Sequence, residues 1–174
     1  MEVIHIESCE GTSNGYAFAR LEEVLMTTFP YSQQNAESRR RLDSLVRRLT
    51  DTDLALSTDY GWTISALLGH LAFWDHRVSV ILQRWQEQGF DPSPIDSAAV
   101  NDALKVICHA LEPRIAADLA LVAAQKVDSE LETLSADFVK QIEEHAEATS
   151  TQLRMNRSLH RDGHLNDIEA LLNK

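Results

Sequence analysis

Tyr60-Gly61-Trp62-Thr63-Ile64-Ser65-Ala66-Leu67-Leu68-Gly69-His70-Leu71-Ala72-Phe73-Trp74-Asp75, continued by Val78, Ile81 and Trp85, is the stretch that decides the fold. Leu67, His70 or Leu71, Trp74, Val78, Ile81 and Trp85 recur at spacings of three and four, the period of one helical face. Thr63 is a good N-cap, because its hydroxyl can accept a bond from an unpaired amide of the first turn. No proline interrupts before Pro92, so one long helix is predicted, running to the loop that opens at Gly89. His70 falls on the core stripe or at its edge. His76 lies two residues past Trp74, which at ~100° per residue turns it to the other side, toward the surface.

Outward from this helix the pattern stays helical. Upstream, Leu42, Leu45, Val46 and Leu49 carry a helix from Ala36 that Thr50-Asp51-Thr52-Asp53 ends. Its arginines, Arg39, Arg40, Arg41, Arg47 and Arg48, read as a solvated face or as ion-pair donors. Residues 1–32 are different: Gly11 and Gly15 break any period, and an amphipathic piece from Tyr16 to Thr28 stops at Pro30. They read as an amino-terminal extension that docks on a main domain of residues 33–174. Val3 to Ile6 is β-branched enough to extend, yet a lone strand has nothing evident to pair with.

Downstream, Gly89 to Pro94 is a loop. A helix through Val100, Leu104, Ile107 and Leu111 follows, and Pro113 marks a kink or a fresh start. Ile115, Leu119, Val122 and Val127 extend an alanine-rich helix to about Leu134. A shorter piece spans Asp137 to His145, and a last helix runs from near Leu153 to Leu172. The expected fold is all-α: a four-helix bundle with a long crossover between the second and third main helices, plus short extra helices.

A chain of 174 residues is one domain with a proper core. A net charge of -11 repels phosphate backbones and argues against a nucleic-acid partner. No apolar run reaches the length of a membrane span and no secretory signal is visible, so the cytoplasm is the expected compartment. Cys9 and Cys108 are then unbridged, Cys108 as a small buried hydrophobe.

The chemistry concentrates in histidine. His160 and His164 are one turn apart, in line with Ile168 and Leu171 or Leu172, so the pair is expected to face inward. Together with His70 they make three imidazoles, which can grip a divalent ion and leave a coordination position open. A plainer reading stands beside it: a hydrogen-bonded core His70 and two half-exposed polar residues. His5 lies in the loose amino-terminal segment, while His109 and His145 read as surface or cap groups. Glu143, Glu144 and Glu147 form a solvated acidic face. Trp62, Trp74 and Trp85 read as core aromatics rather than a ligand box.

Residues 62–75, with a Trp at the helix start, a histidine eight residues on, then a small residue and an aromatic-acidic pair, resemble the second-helix signature of the DinB/YfiT-like superfamily. His160-Arg161-Asp162-Gly163-His164 is similar to that superfamily's terminal His-x-x-x-His element. The superfamily includes the mycothiol-dependent maleylpyruvate isomerases, and the similarity covers about residues 36–172. It implies a four-helix bundle with a zinc or nickel ion on His70, His160 and His164. It also implies a metal-dependent enzyme, a thiol-dependent S-transferase or isomerase, in which a low-molecular-weight thiol binds the metal as thiolate and attacks a small electrophile. The competing class is a non-catalytic stress-response or binding protein whose histidines pack or hold metal passively. Asp75 and Asp167 either orient the ligands or lie at the surface. Gly163 departs from a good helix former by ~1 kcal/mol; it admits a close approach or a bulky ligand, or else the helix begins after it. The outer half of the alanine-rich helix offers a face for a homodimer.

Overall fold

The computed structural model of the chain describes residues 29–151 and 153–173. The extension expected over residues 1–32, with Cys9, His5 and the piece from Tyr16 to Thr28, lies outside them except for its last four positions. Of those, Phe29 is 4% exposed and packs into the core beside Val78, Trp85 and Met155.

The expected all-α class is found. Among the described residues seven helices follow one another: α1 Ser32–Arg48, α2 Asp51–Ala55, α3 Ile64–Gln88, α4 Ser97–Ala110, α5 Pro113–Glu132, α6 Ala136–Thr149 and α7 Ser158–Leu172. Among the described residues the sole β-type pairing is an isolated bridge between Ser57 and Thr63. No described helix is long and apolar enough to cross a membrane.

Local chemistry sets the ends. The Thr63 side chain accepts from the Ala66 amide and opens α3 as expected, and Gly89 closes it at a φ of 84 that a side chain would strain. Thr50 and Asp53 form a reciprocal capping box on α2. Pro113 starts α5 afresh rather than kinking α4.

α3 and α5 share the most extensive contact, and α1 packs on both α5 and α7. The face of α5 that meets the core is made of Ala116, Ala117, Ala120, Ala123 and Ala124, all buried. Small side chains let two helix axes approach closely. The expected apolar row of α5 is therefore corrected: Ile115, Leu119 and Val122 are exposed and only Val127 is buried. Ile107 on α4 is likewise exposed, at 58%, where an inward position was expected. Leu104 and Cys108 make the inner face of α4 instead. A Cβ on Gly69 would come within 3.2 Å of Cys108 Sγ, so glycine is what lets α4 lie against α3 there.

α7 starts at Ser158, later than the expected Leu153. The intervening residues stay outside the helix, held by a side chain from another helix. Asn35, 1% exposed on α1, donates to the Met155 carbonyl at 3.0 Å and accepts from the Arg157 and Ser158 amides at 2.8 and 3.1 Å. The first amides of any helix lack internal partners; here a residue more than 120 positions away supplies one.

Two substitutions check these points. Asn35→Ala strips partners from two amides and a carbonyl in a buried place, so urea unfolding should show a loss of ~1–3 kcal/mol or more. Gly163 is helical and a Cβ there meets nothing within 4 Å. Gly163→Ala should therefore raise stability by ~0.5–1 kcal/mol, read as a higher melting temperature.

Candidate metal centre

His70 sits two turns into α3, 5% exposed, and faces α7. His160 and His164 project from α7 toward it. His70 Nε2 lies 3.1 Å from His160 Nε2, and the ring centroids are 5.1 Å (His70–His160), 4.9 Å (His70–His164) and 5.0 Å (His160–His164) apart. One nitrogen from each ring falls within 4.8 Å of the other two, a group that could hold a metal ion. The residues that the spacing singled out are thus brought together.

Their orientation needs one correction. The buried row of α7 is Ser158, Arg161, Leu165 and Ile168, while His160 and His164 occupy the adjoining row and are half-buried. Positions four apart drift by ~40° per step on a 3.6-residue helix. A row that starts on His160 has therefore turned well away by Ile168. The drift aims the imidazoles into a cavity rather than into the core.

That cavity measures about 420 Å³. Trp62, Trp74, Leu67 and Val78 give it apolar walls, and Tyr60 and Asn101 add polar groups. Trp62 meets the His70 ring edge-on at 5.3 Å, and Trp74 does so at 6.2 Å. Trp74 Nε1 donates to Asn101 Oδ1 at 3.1 Å, which fixes the indole. The expectation of three core tryptophans therefore holds for Trp85, which is buried, and in part for Trp62, which packs against the core and also lines the cavity, whereas Trp74 faces the cavity. Tyr60 Oη donates to Asp167 Oδ2 at 2.8 Å. Burial, then this carboxylate, pushes the phenol up to about 12.

The three rings are neutral at pH 7. Burial, followed by the neighbouring His164 and Arg157, lowers His70 to about 4. Burial, then Arg157, lowers His160 to about 2. Burial also lowers His164, against the pull of Asp167. Neutral imidazoles keep a lone pair for a metal or a proton donor.

Behind the trio lies a charged layer that the spacing of histidines did not reveal. Asp75, 1% exposed, accepts from Arg157 Nε at 2.7 Å and from Arg161 Nε at 2.8 Å. Arg161, 0% exposed, also forks onto Asp128 at 2.8 and 3.0 Å, and Arg39 reaches the same carboxylate at 3.1 Å. Asp75 therefore neither touches a histidine nor lies at the surface; it binds the arginine that does. Arg157 Nη2 stands 3.3 Å from His160 Nδ1. Asp167 is the one of the expected pair placed near His164, 3.6 Å from its Nδ1, which is beyond hydrogen-bond distance. A signal for the layer was present: Asp75 interrupts the row Leu71, Val78, Leu82, and Asp128 the row Ala124, Leu131, both otherwise buried. Arg157 and Arg161 repeat the four-residue spacing of the histidines.

The donor set is three nitrogens, which suits zinc, nickel and their neighbours. The supporting shell is mixed. A ligating histidine usually passes its other N–H to an acceptor, yet His70 Nδ1 is buried without a partner and His160 Nδ1 meets a guanidinium, which only donates. The other described histidines stay apart. His76 is exposed, His109 is exposed and 3.2 Å from the Gly61 carbonyl, and His145 packs on Trp85 and Phe90. Cys108 is buried, and burial raises its thiol, as befits a core residue.

The sequence model of the DinB superfamily matches residues 34–158. The match takes in α1 to α6 with His70, and ends just before His160. No curated protein and no solved structure matches the chain.

Acid titration of the metal-free protein checks the burial of the rings. An unfolded histidine titrates near ~6.5, so below that pH the unfolded chain binds more protons than the folded one. Stability should then be full above pH ~6.5 and fall as the pH drops toward 4. Replacing His70 and His160 by Gln should flatten that slope in urea unfolding followed at several pH values.

Proposed function

From the fact that the chain belongs to the DinB superfamily, we propose that it is a metal-dependent enzyme, a thiol-dependent S-transferase or isomerase acting on a small electrophile. The observation that carries this is the convergence of His70, His160 and His164 at the floor of a cavity of about 420 Å³. In this reading the three imidazoles hold zinc or nickel, and the helices form a four-helix bundle of α1, α3, α5 and α7 with α4 in the crossover. The ion supplies a Lewis acid and a lowered pKa for a bound water or thiol.

The rest is the work of the chain's own residues. Burial keeps the rings unprotonated, so no proton competes for their lone pairs at neutral pH. Trp62 and Trp74 stand edge-on to His70 and give the site apolar walls. Asp167 holds the Tyr60 hydroxyl at the rim. A low-molecular-weight thiol and its electrophile would share the space between these walls. The cytoplasm is the fitting compartment, because such a thiol stays reduced there. The exposed stripe Ile115, Leu119 and Val122 on α5 suits self-association into a homodimer.

A second reading has its own observation. The His70–His160 contact and the Arg157 donor give His70 Nε2 and both His160 nitrogens partners within the protein, which is how a non-catalytic binding protein with packed histidines would look. Elemental analysis of protein purified without an immobilised-metal column separates the two. The enzyme reading expects stoichiometric zinc or nickel in the wild type and its loss in His70→Ala. Metal-free wild type, with a His70→Ala/His160→Ala/His164→Ala protein that melts unchanged, would overturn it.

A further inference from the structure

The chain holds 27 acidic against 16 basic residues, yet the cavity reverses that sign. Arg77, Arg154 and Arg157 line it, and among the described residues no Asp or Glu does. The three guanidiniums are placed differently. Arg157 is 3% exposed, anchored on Asp75, with Nη2 turned to His160 and Nη1 donating to the Arg154 carbonyl at 3.2 Å. Arg77 lies over the Trp74 ring at 5.9 Å and donates to the Ser93 carbonyl at 3.0 Å. Arg154 is exposed at the rim. Their fields overlap: Arg157 weighs on Arg77, and Arg154 with Arg157 on His160. A concave site lined by one sign of charge, with low-dielectric walls, concentrates ligands of the other sign.

The geometry points to a small organic carboxylate with a flat apolar body as the ligand of this cavity, its carboxylate on Arg154 and Arg157 and its body against Trp62 and Trp74. A guanidinium offers two parallel N–H groups that match the two oxygens of a carboxylate. Inorganic phosphate would satisfy the same forks but leave the indoles, Leu67 and Val78 against water. A neutral ligand of the same shape would fill the walls and leave the charge of Arg154, exposed at the rim, without a counterpart. The charge thus sets the head of the ligand and the indoles set its body. Naming this ligand as the substrate rests on the enzyme reading; its binding does not.

Calorimetric titration of the full chain with benzoate and with benzamide, its neutral isostere, tests the assignment. Both chelator-treated and zinc-treated protein are titrated. Benzoate should bind in both, and ~10-fold or more tightly than benzamide. Added NaCl should weaken benzoate alone. Arg154→Gln should weaken benzoate by a similar factor, leaving benzamide and the melting temperature unchanged, because among the described residues the exposed Arg154 side chain makes no hydrogen bond or ion pair. Equal binding of the two probes, no benzoate binding in either form, or an Arg154→Gln protein that binds benzoate as the wild type does, overturns the proposal. Elemental analysis reports on the metal separately, so failure of one reading leaves the other standing.

Discussion

Two aspartates and two arginines, buried in one layer, hold the last helix to the rest of the protein. Asp75 comes from α3, Asp128 from α5, and Arg157 and Arg161 from the start of α7. Taking charges out of water costs several kcal/mol per ion, which only good geometry and further hydrogen bonds offset. Arg161 meets that demand: Nε and both Nη atoms reach carboxylate oxygens, and the Asn35 and Ala124 carbonyls lie at 3.4 Å. Breaking a buried pair from one side is worth ~3–5 kcal/mol, so the orientation of α7 is tightly specified.

The histidines inherit that orientation. His160 follows Arg157 by three positions and His164 follows Arg161 by three, so seating the arginines sets the azimuth of both rings. The drift of a helical row then places the rings at the edge of the core, where a cavity can form. Arg157 belongs to both layers, with one nitrogen on Asp75 and another on His160. Asn35 completes the arrangement from α1 by capping the start of α7. Around the outside, Arg41 reaches Asp162, Asn166 and Glu169. These half-exposed pairs add little each; the buried layer decides.

The alanine face of α5 is the apolar counterpart of that layer. It brings α5 close to α3, and Leu67, Leu68 and Leu71 fill the space beside it. Its larger residues are left outside, which explains the exposed Ile115, Leu119 and Val122. The basic cavity within an acidic chain follows from the same packing: arginines gather where α7 meets α3, and acids stay behind them or at the surface.

The helical class and most helix bounds were legible in the sequence, because a 3.6-residue period and caps such as Thr63 act locally. The grouping of His70 with His160 and His164 was legible too, from a four-residue spacing and a family resemblance. Three things were not. The start of α7 depends on Asn35, far away in the chain, and no local pattern marks it. The facing of α5 is decided by how close α3 comes, and a row of Ile, Leu and Val looks like a core to any periodicity. The charged layer is visible only as acids on apolar rows, since a buried charge is tolerable only beside a partner. Periodicity and capping are properties of neighbouring residues, whereas the pairing of Asp75 with Arg157 and Arg161 exists only once distant helices have met.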